Sequence, residues 1–342
     1  MKKYIYMMLV VLTAGFASCS NDDIPMEEDV TMKTFETTFK INPKTVIEPF
    51  TWEFNSGELQ TFDEKYQLRV RLLLYNQVGD YIGEDIQKFP NYMVTMESSM
   101  QLQAGSYKAI VITDLELKKP YPLGGDYVEE YWKLSDYKEG NLSKLKITSA
   151  GYTGGKNKIL GISHQNFTIA PNGINEVKID VEPAGAIIAT RIVYPHYFDF
   201  VKQMQLGTNK LVNEYIFNID GSYLVNEDVD ERYDNKRLLV FDNTVFEGES
   251  CNHYIYDYVF ILPAKYNLKW LYSDTYEDFE DMYELHDTPM TLDIQAGDEW
   301  LVGVNLKENN YYTPEKVGAS SAFSSIGDTN SIFIPKDLRI KR

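Results

Sequence analysis

Gln67-Leu68-Arg69-Val70-Arg71-Leu72-Leu73-Leu74 is the stretch from which the fold is read. Leu68, Val70, Leu72 and Leu74 alternate with Gln67, Arg69, Arg71 and Leu73. A period of two places each set on its own side of an extended strand. The same period continues outward in both directions. Upstream, Phe35, Thr37, Phe39 and Ile41 alternate with polar residues. Downstream, Tyr254, Tyr256, Tyr258, Phe260 and Leu262 stand opposite His253, Ile255, Asp257, Val259 and Ile261. Phe167-Thr168-Ile169 and Val177-Lys178-Ile179-Asp180-Val181 flank Pro171-Asn172-Gly173, a hairpin signal because glycine tolerates positive φ. These are antiparallel signals without regular βαβ alternation, so the chain reads as all-β. Two short helical excursions are expected on that scaffold. Asp126 with Glu129, and Asp274 with Glu277, have capping-box spacing ahead of aromatic residues.

The 342 residues exceed one ordinary domain and suggest two. A hydrophobic content of 44%, with 14% aromatics, is enough to build packed cores. The net charge of −18 argues against a nucleic-acid partner, which would call for a basic surface. Two cysteines exclude a disulfide-dense scaffold and a Cys-ligated zinc site. Four scattered histidines argue against a histidine metal centre.

No catalytic signature is present: there is no G-x-S-x-G, no H-E-x-x-H and no phosphate-cradling loop. Gly151-Tyr152-Thr153-Gly154-Gly155-Lys156 lacks the phosphate-loop spacing and reads as a surface turn. Cys251 shares a strand face with His253, but no third orienting group is in view, so it reads as a structural thiol. His164, His196 and His286 are isolated and read as loop or packing residues. Asp228-Val229-Asp230 with Asp234 lacks the glycine and closing glutamate of a calcium loop. The expectation is a protein that is not an enzyme and carries no metal or cofactor.

An internal echo supports two related domains. Leu102-Gln103-Ala104-Gly105-Ser106-Tyr107 runs into Ala109-Ile110-Val111, and Ile294-Gln295-Ala296-Gly297-Asp298-Glu299-Trp300 runs into Leu301-Val302. Upstream of each, Gly79-Asp80-Tyr81-Ile82 resembles Gly221-Ser222-Tyr223-Leu224.

The N-terminus carries the most specific signal. Lys2 and Lys3 precede the apolar run Ile5 to Leu12, then Thr13, Ala14 and Gly15. The run is shorter than the roughly 20 residues a spanning helix needs, and it reads as a secretory signal. It closes on Phe16-Ala17-Ser18-Cys19, which resembles a bacterial lipobox with Phe16 in the usual leucine place. That resemblance implies diacylation of Cys19 as the mature N-terminus; two or more chains hold a protein stably on a membrane. Loss of residues 1–18 removes two lysines and no acids, taking the net charge from −18 to −20. Ser20-Asn21-Asp22-Asp23 and Glu27-Glu28-Asp29 then read as an acidic flexible tether over residues 19–32. The tether also resembles the export signal of surface lipoproteins of Bacteroidetes-type bacteria.

The wider pattern resembles the fimbrillin superfamily of Bacteroidetes. The resemblance rests on Tyr75-Asn76-Gln77-Val78-Gly79, on Leu102, Gly105 and Tyr107, and on Pro183-Ala184-Gly185-Ala186-Ile187-Ile188-Ala189-Thr190-Arg191. It implies two tandem transthyretin-like β-sandwich domains, 33–182 and 183–342, behind the signal peptide 1–18. It also implies a fimbrial subunit on the outer membrane, most similar to the FimB-like anchor class. Its partners would be other fimbrial subunits joined by strand addition, outer-membrane lipid through Cys19, and host surface proteins or glycans. Ile332, Ile334, Leu338 and Ile340 lie in a terminal segment that is either an exchanged strand or the last native one. Stalk precursors of this family are cleaved after arginine, and no arginine precedes Arg69, which favours an anchor.

The 26 tyrosines are largely strand composition. Tyr121, Tyr127, Tyr131, Trp132 and Tyr137 nevertheless cluster in one segment. As exposed aromatics they would form a binding patch, and they carry the alternative of a glycan-binding lipoprotein of a polysaccharide-uptake system.

Overall fold

The computed structural model describes residues 33–43, 66–90, 95–123, 126–135, 137–149, 158–194, 203–210, 212–226, 236–242, 253–273, 283–284, 290–305, 310–311 and 313–316. Their regular structure is strand throughout, apart from one 3-10 turn at Leu142–Lys144.

The first sheet holds β1 (Thr34–Pro43), β2 (Tyr66–Asn76), β3 (Tyr81–Phe89), β4 (Met96–Gln103), β5 (Gly105–Leu123), β6 (Asp126–Glu130), β9 (Leu160–Ile169) and β10 (Asn175–Pro183). Its order is β3-β2-β5-β9-β10-β1-β4, with β6 on β5. The sheet folds over on itself at β9 and β10. Only Glu182↔Ile162 and Pro183↔Gly161 pair there, so beyond those pairs the two strands part company. β10 instead pairs in parallel with β1, and β1 pairs antiparallel with β4. The expected turn at Pro171-Asn172-Gly173 does reverse the chain, but into two layers and not into a continuous ladder. The apolar faces explain this. Phe39, Ile41, Met96, Val177 and Ile179 from one layer pack with Leu68, Val70, Leu72, Val111 and Ile169 from the other. Phe39 meets Phe167 edge-on across the layers at 5.4 Å.

The remaining strands form three sheets. Trp132–Leu134 (β7) and Lys146–Ser149 (β8) join Glu214–Phe217 (β13) and Tyr223–Asn226 (β14) in the order β14-β13-β8-β7. Ala186–Tyr194 (β11), His253–Ile261 (β16), Glu299–Asn305 (β20), Asn310–Tyr311 (β21) and Glu315–Lys316 (β22) form the second. Gln203–Thr208 (β12), Lys236–Asp242 (β15), Ala264–Ser273 (β17), Tyr283–Glu284 (β18) and Met290–Ile294 (β19) form the third. Partners therefore change near residue 183, yet the four-stranded sheet joins strands from both sides of it. A single apolar cluster runs from Leu73, Ile110 and Trp132 to Ile188, Tyr266 and Val302.

One sequence expectation needs correction here. Residues 126–130 are strand β6 and not a helix; β6 pairs with β5 through Tyr121↔Val128, Pro122↔Tyr127 and Leu123↔Asp126. Tyr127 and Val128 favour the extended state. A capping-box spacing alone does not outweigh that pairing. The second helix expectation falls mostly on residues 274–282, outside the described residues. β2 is covered on both faces: Arg69 and Arg71 are buried, as are Leu68 and Val70 on the opposite side.

The echo is structural. Gly79 and Gly221 share φ of +93°. In the first turn, Asn76 N–H donates to Asp80 O at 2.9 Å and Gly79 N–H to Asn76 O at 3.0 Å. In the second, Asn218 N–H donates to Ser222 O at 2.8 Å and Gly221 N–H to Asn218 O at 3.0 Å. Both are the same hairpin turn, and only glycine holds this φ without strain. The Gln-Ala-Gly copies diverge: Gly105 has φ of +155° and joins β4 to β5 within the eight-stranded sheet, whereas Gly297 has φ of +78° and carries the chain from β19 in one sheet to β20 in another.

Candidate functional site

The position of β1 is the first functional feature. It follows the acidic segment in sequence and lies inside a sheet, with a partner on each side. Thr37 to Pro43 pair in parallel with Asn175 to Val181, and Thr34 to Ile41 pair antiparallel with Gln103 to Met96. Thr37, Phe39 and Ile41 are buried, because the period-two pattern delivers them to the core face. Two side-chain links reinforce the parallel pairing. Lys40 Nζ meets Glu176 Oε2 at 2.9 Å, and Asn42 Nδ2 donates to Asp180 Oδ1 at 3.1 Å. Hydrogen bonds from Lys40 and Lys178 hold the Glu176 carboxyl below its ordinary pKa.

The sheet ends at β3 and β4, and among the described residues neither has a strand on its outer side. β3 carries exposed Ile82 and Ile86. Gln87 Nε2 on β3 donates to Glu97 O on β4 at 3.0 Å, so a side chain links the two edges.

The aromatic segment is arranged differently from the expectation. Trp132 is 2% exposed; its indole N–H donates to Lys158 O at 3.0 Å and its ring meets Phe260 edge-on. It is a core residue and belongs to no exposed patch. Tyr131 and Tyr137 are half-buried against the same core. Tyr137 donates its hydroxyl to Glu84 and packs edge-on against Tyr81, which packs in turn on Tyr75. Burial, chiefly, raises the Tyr137 phenol pKa well above its usual value. The backbone of Tyr121 and Tyr127 pairs in the β5–β6 ladder. Glycan stacking by this cluster is thus left without its one tryptophan. Cys19, Ile332, Ile334, Leu338, Ile340 and Cys251 lie outside the described residues.

Beneath this segment is a charge cluster that the sequence reading passed over. Arg69 Nε and Nη2 grip Asp114 at 3.0 and 2.6 Å, and Arg71 Nη2 reaches the same carboxylate at 2.9 Å. Glu116 takes Lys88 at 2.8 Å and Gln67 at 2.8 Å. Both arginines also donate to Trp132 O, at 3.4 and 3.3 Å. The carboxylates are held in ion pairs, and the cluster's work is to pin β7 to the sheet. The signal was present in Arg69 and Arg71, alternating with apolar residues, and in Asp114 and Glu116, which stand opposite Arg69 and Gln67. Register was needed to see it.

A cleft of 540 Å³ opens between the two echo turns, lined among others by Gln77, Lys108, Phe167, Ile219 and Asp220. Lys108 Nζ donates to Gln77 O at its rim. Among the described residues no group of three or more His, Cys, Asp and Glu could hold a metal ion.

No protein-family model and no curated protein matches the chain. Solved structures do resemble it in shape. A candidate polysaccharide-binding protein (DUF1812) of Bacteroides thetaiotaomicron is 10% identical, covers 83% of this chain and 98% of its own, and gives a TM-score of 0.48. The fimbrial anchor protein Mfa2 of Porphyromonas gingivalis is 9% identical over 83% of this chain and 98% of its own, with a TM-score of 0.44. The tip fimbrial protein Mfa3 of the same organism is 10% identical over 82% and 98%, with a TM-score of 0.41. The structures it resembles are thus fimbrial and candidate adhesin proteins of Bacteroidetes. Likeness this loose assigns no function.

Proposed function

We propose that the chain is a lipid-anchored subunit of a surface fimbrium, of the anchor or accessory kind. In this reading acylated Cys19 holds it to the outer membrane, and neighbouring subunits join it by strand addition onto tandem transthyretin-like sandwiches. It performs no catalysis and takes no cofactor.

The observation that carries the reading is the seat of β1. A strand that follows a lipid tether and pairs on both sides fixes the anchor in the interior of the molecule. A peripheral strand would not. The absence of arginine before Arg69 supports retention of that tether. The unpartnered outer sides of β3 and β4, among the described residues, supply main-chain groups of the kind strand addition uses.

Mass spectrometry of the N-terminal peptide tests anchoring, together with fractionation of a Cys19→Ala variant. The expected results are an acylated Cys19 and release of the variant from the membrane; an unmodified Cys19 overturns the anchor. Photo-cross-linkers at Ile82, Ile86 and Ile334 test assembly. A covalent link to a second fimbrial polypeptide is expected, and monomers alone at all three positions overturn strand addition.

A further inference from the structure

Two parallel ladders lie in series along the chain. The first is β1 with β10, seven registered pairs from Thr37↔Asn175 to Pro43↔Val181. The second is β11 with β20, seven registered pairs from Ile187↔Glu299 to Val193↔Asn305. Every other pairing among the described strands is antiparallel. These two are also the pairings that join early strands to late ones in each half.

Their directions matter. Tension applied at the N-terminus enters β1 at Thr34. It leaves the first ladder at the far end of β10, Pro183, where the chain passes into β11. It then enters the second ladder at the N-terminal end of β11 and leaves at the C-terminal end of β20. In both ladders the entry and exit points are at opposite ends of parallel strands. The pull is therefore along the strand axes, and all the inter-strand bonds of a ladder resist it together. Had the two points been at the same end, the bonds would open one at a time. Resistance to force is set by the barrier to unfolding, and a shared load raises that barrier.

The joint between the ladders is tight. Ala184 N–H donates to Leu160 O at 2.9 Å, Gly297 N–H donates to Gly185 O at 2.8 Å, and Tyr215 donates its hydroxyl to Ala184 O. A Cβ on Gly185 would lie 2.3 Å from the Phe260 ring and 2.6 Å from Ile261 O. Beyond β20, the two-residue strands β21 and β22 fold back on it through two registered pairs each, so the second ladder is loaded lengthwise once those four pairs have opened.

We infer that the β1–β10 and β11–β20 ladders are serial shear clamps that carry tension through the molecule from its N-terminal to its C-terminal segment. The inference rests on the proposed anchor only for where tension enters in the cell.

Single-molecule pulling tests it on the full mature chain with Cys19 and Cys251 replaced by serine. One protein is held by its two termini. A second is held by its C-terminus and a handle at Asn42, which brings the load in at the C-terminal end of β1, the end where β10 leads it out. The terminal geometry should rupture at the higher force. A third protein, Asn42→Cys with Asp180→Cys, locks β1 to β10 when oxidised. Oxidation should abolish the first-ladder rupture, and reduction should restore it in the same molecule. Equal forces in the two geometries, or a rupture that persists when locked, overturns the clamp. The assay needs no lipid, so an unmodified Cys19 would remove the anchor and leave this result standing.

Discussion

Glu299 shows what burial does to a single side chain. It is 1% exposed, and neither carboxyl oxygen has a hydrogen-bond partner. Burial pushes its pKa up from 4.5 to about 8. The folded state therefore keeps a proton that the unfolded chain loses above about 4.5, and stability falls as pH rises until the folded group also ionises. Urea titrations from pH 5 to 9 should show stability declining toward pH 8 and levelling above it; a Glu299→Gln variant should lose that slope. A slope unchanged in the variant would place the effect elsewhere. Asp114 is buried too, but with partners: two arginines grip it. Asp114→Asn should cost about 3–5 kcal/mol by leaving guanidinium charge uncompensated, measured by equilibrium denaturation. Neither residue stood out in the sequence, because the sequence does not show what a charge faces.

Strands β1, β2 and β6 show how far local pattern reaches. The alternation of Phe35, Thr37, Phe39 and Ile41 placed β1 correctly, because half-burial leaves a period-two trace. Phe39→Ala should cost about 3–5 kcal/mol in thermal or urea unfolding, since it empties the centre of the first core. β2 was legible as a strand, but its second covering layer was not. Arg69 and Arg71 look like a solvent face until β7 is laid over them. β6 was misread because capping-box spacing and strand composition coexist in Asp126 to Glu130, and the partner β5 decides between them. Trp132→Ala tests the corrected view of the aromatic segment. It should destabilise the fold by about 3–5 kcal/mol, as a core truncation does, whereas a surface aromatic would leave the unfolding curve nearly unmoved.

Across the whole molecule, the halves meet through Ala184–Gly185 and the β8–β13 pairing. Gly185→Ala should be among the most damaging small changes, because a methyl there meets both the Phe260 ring and backbone. A lowered melting temperature with lost cooperativity between the halves is the expected calorimetric result. An unchanged melting curve would show that the joint relaxes freely. The internal echo anticipated two matching turns, and they match in φ and in hydrogen bonds. It did not anticipate that the β13–β14 hairpin would cross to pair with β8.

The β class, the alternating faces, the echo turns and the expectation of a lipid tether at Cys19 could all be read from the chain order alone. Each of these is written in neighbouring residues: side-chain period, glycine at positive φ, an apolar run before a cysteine. The split of β9 and β10 into two layers, the core position of Trp132, the burial of Arg69 and Arg71 and the two parallel ladders in series emerge in three dimensions. Those depend on which distant strand occupies the next position in a sheet. The seven-residue register of β1 on β10 joins segments more than a hundred residues apart, and no local pattern encodes it.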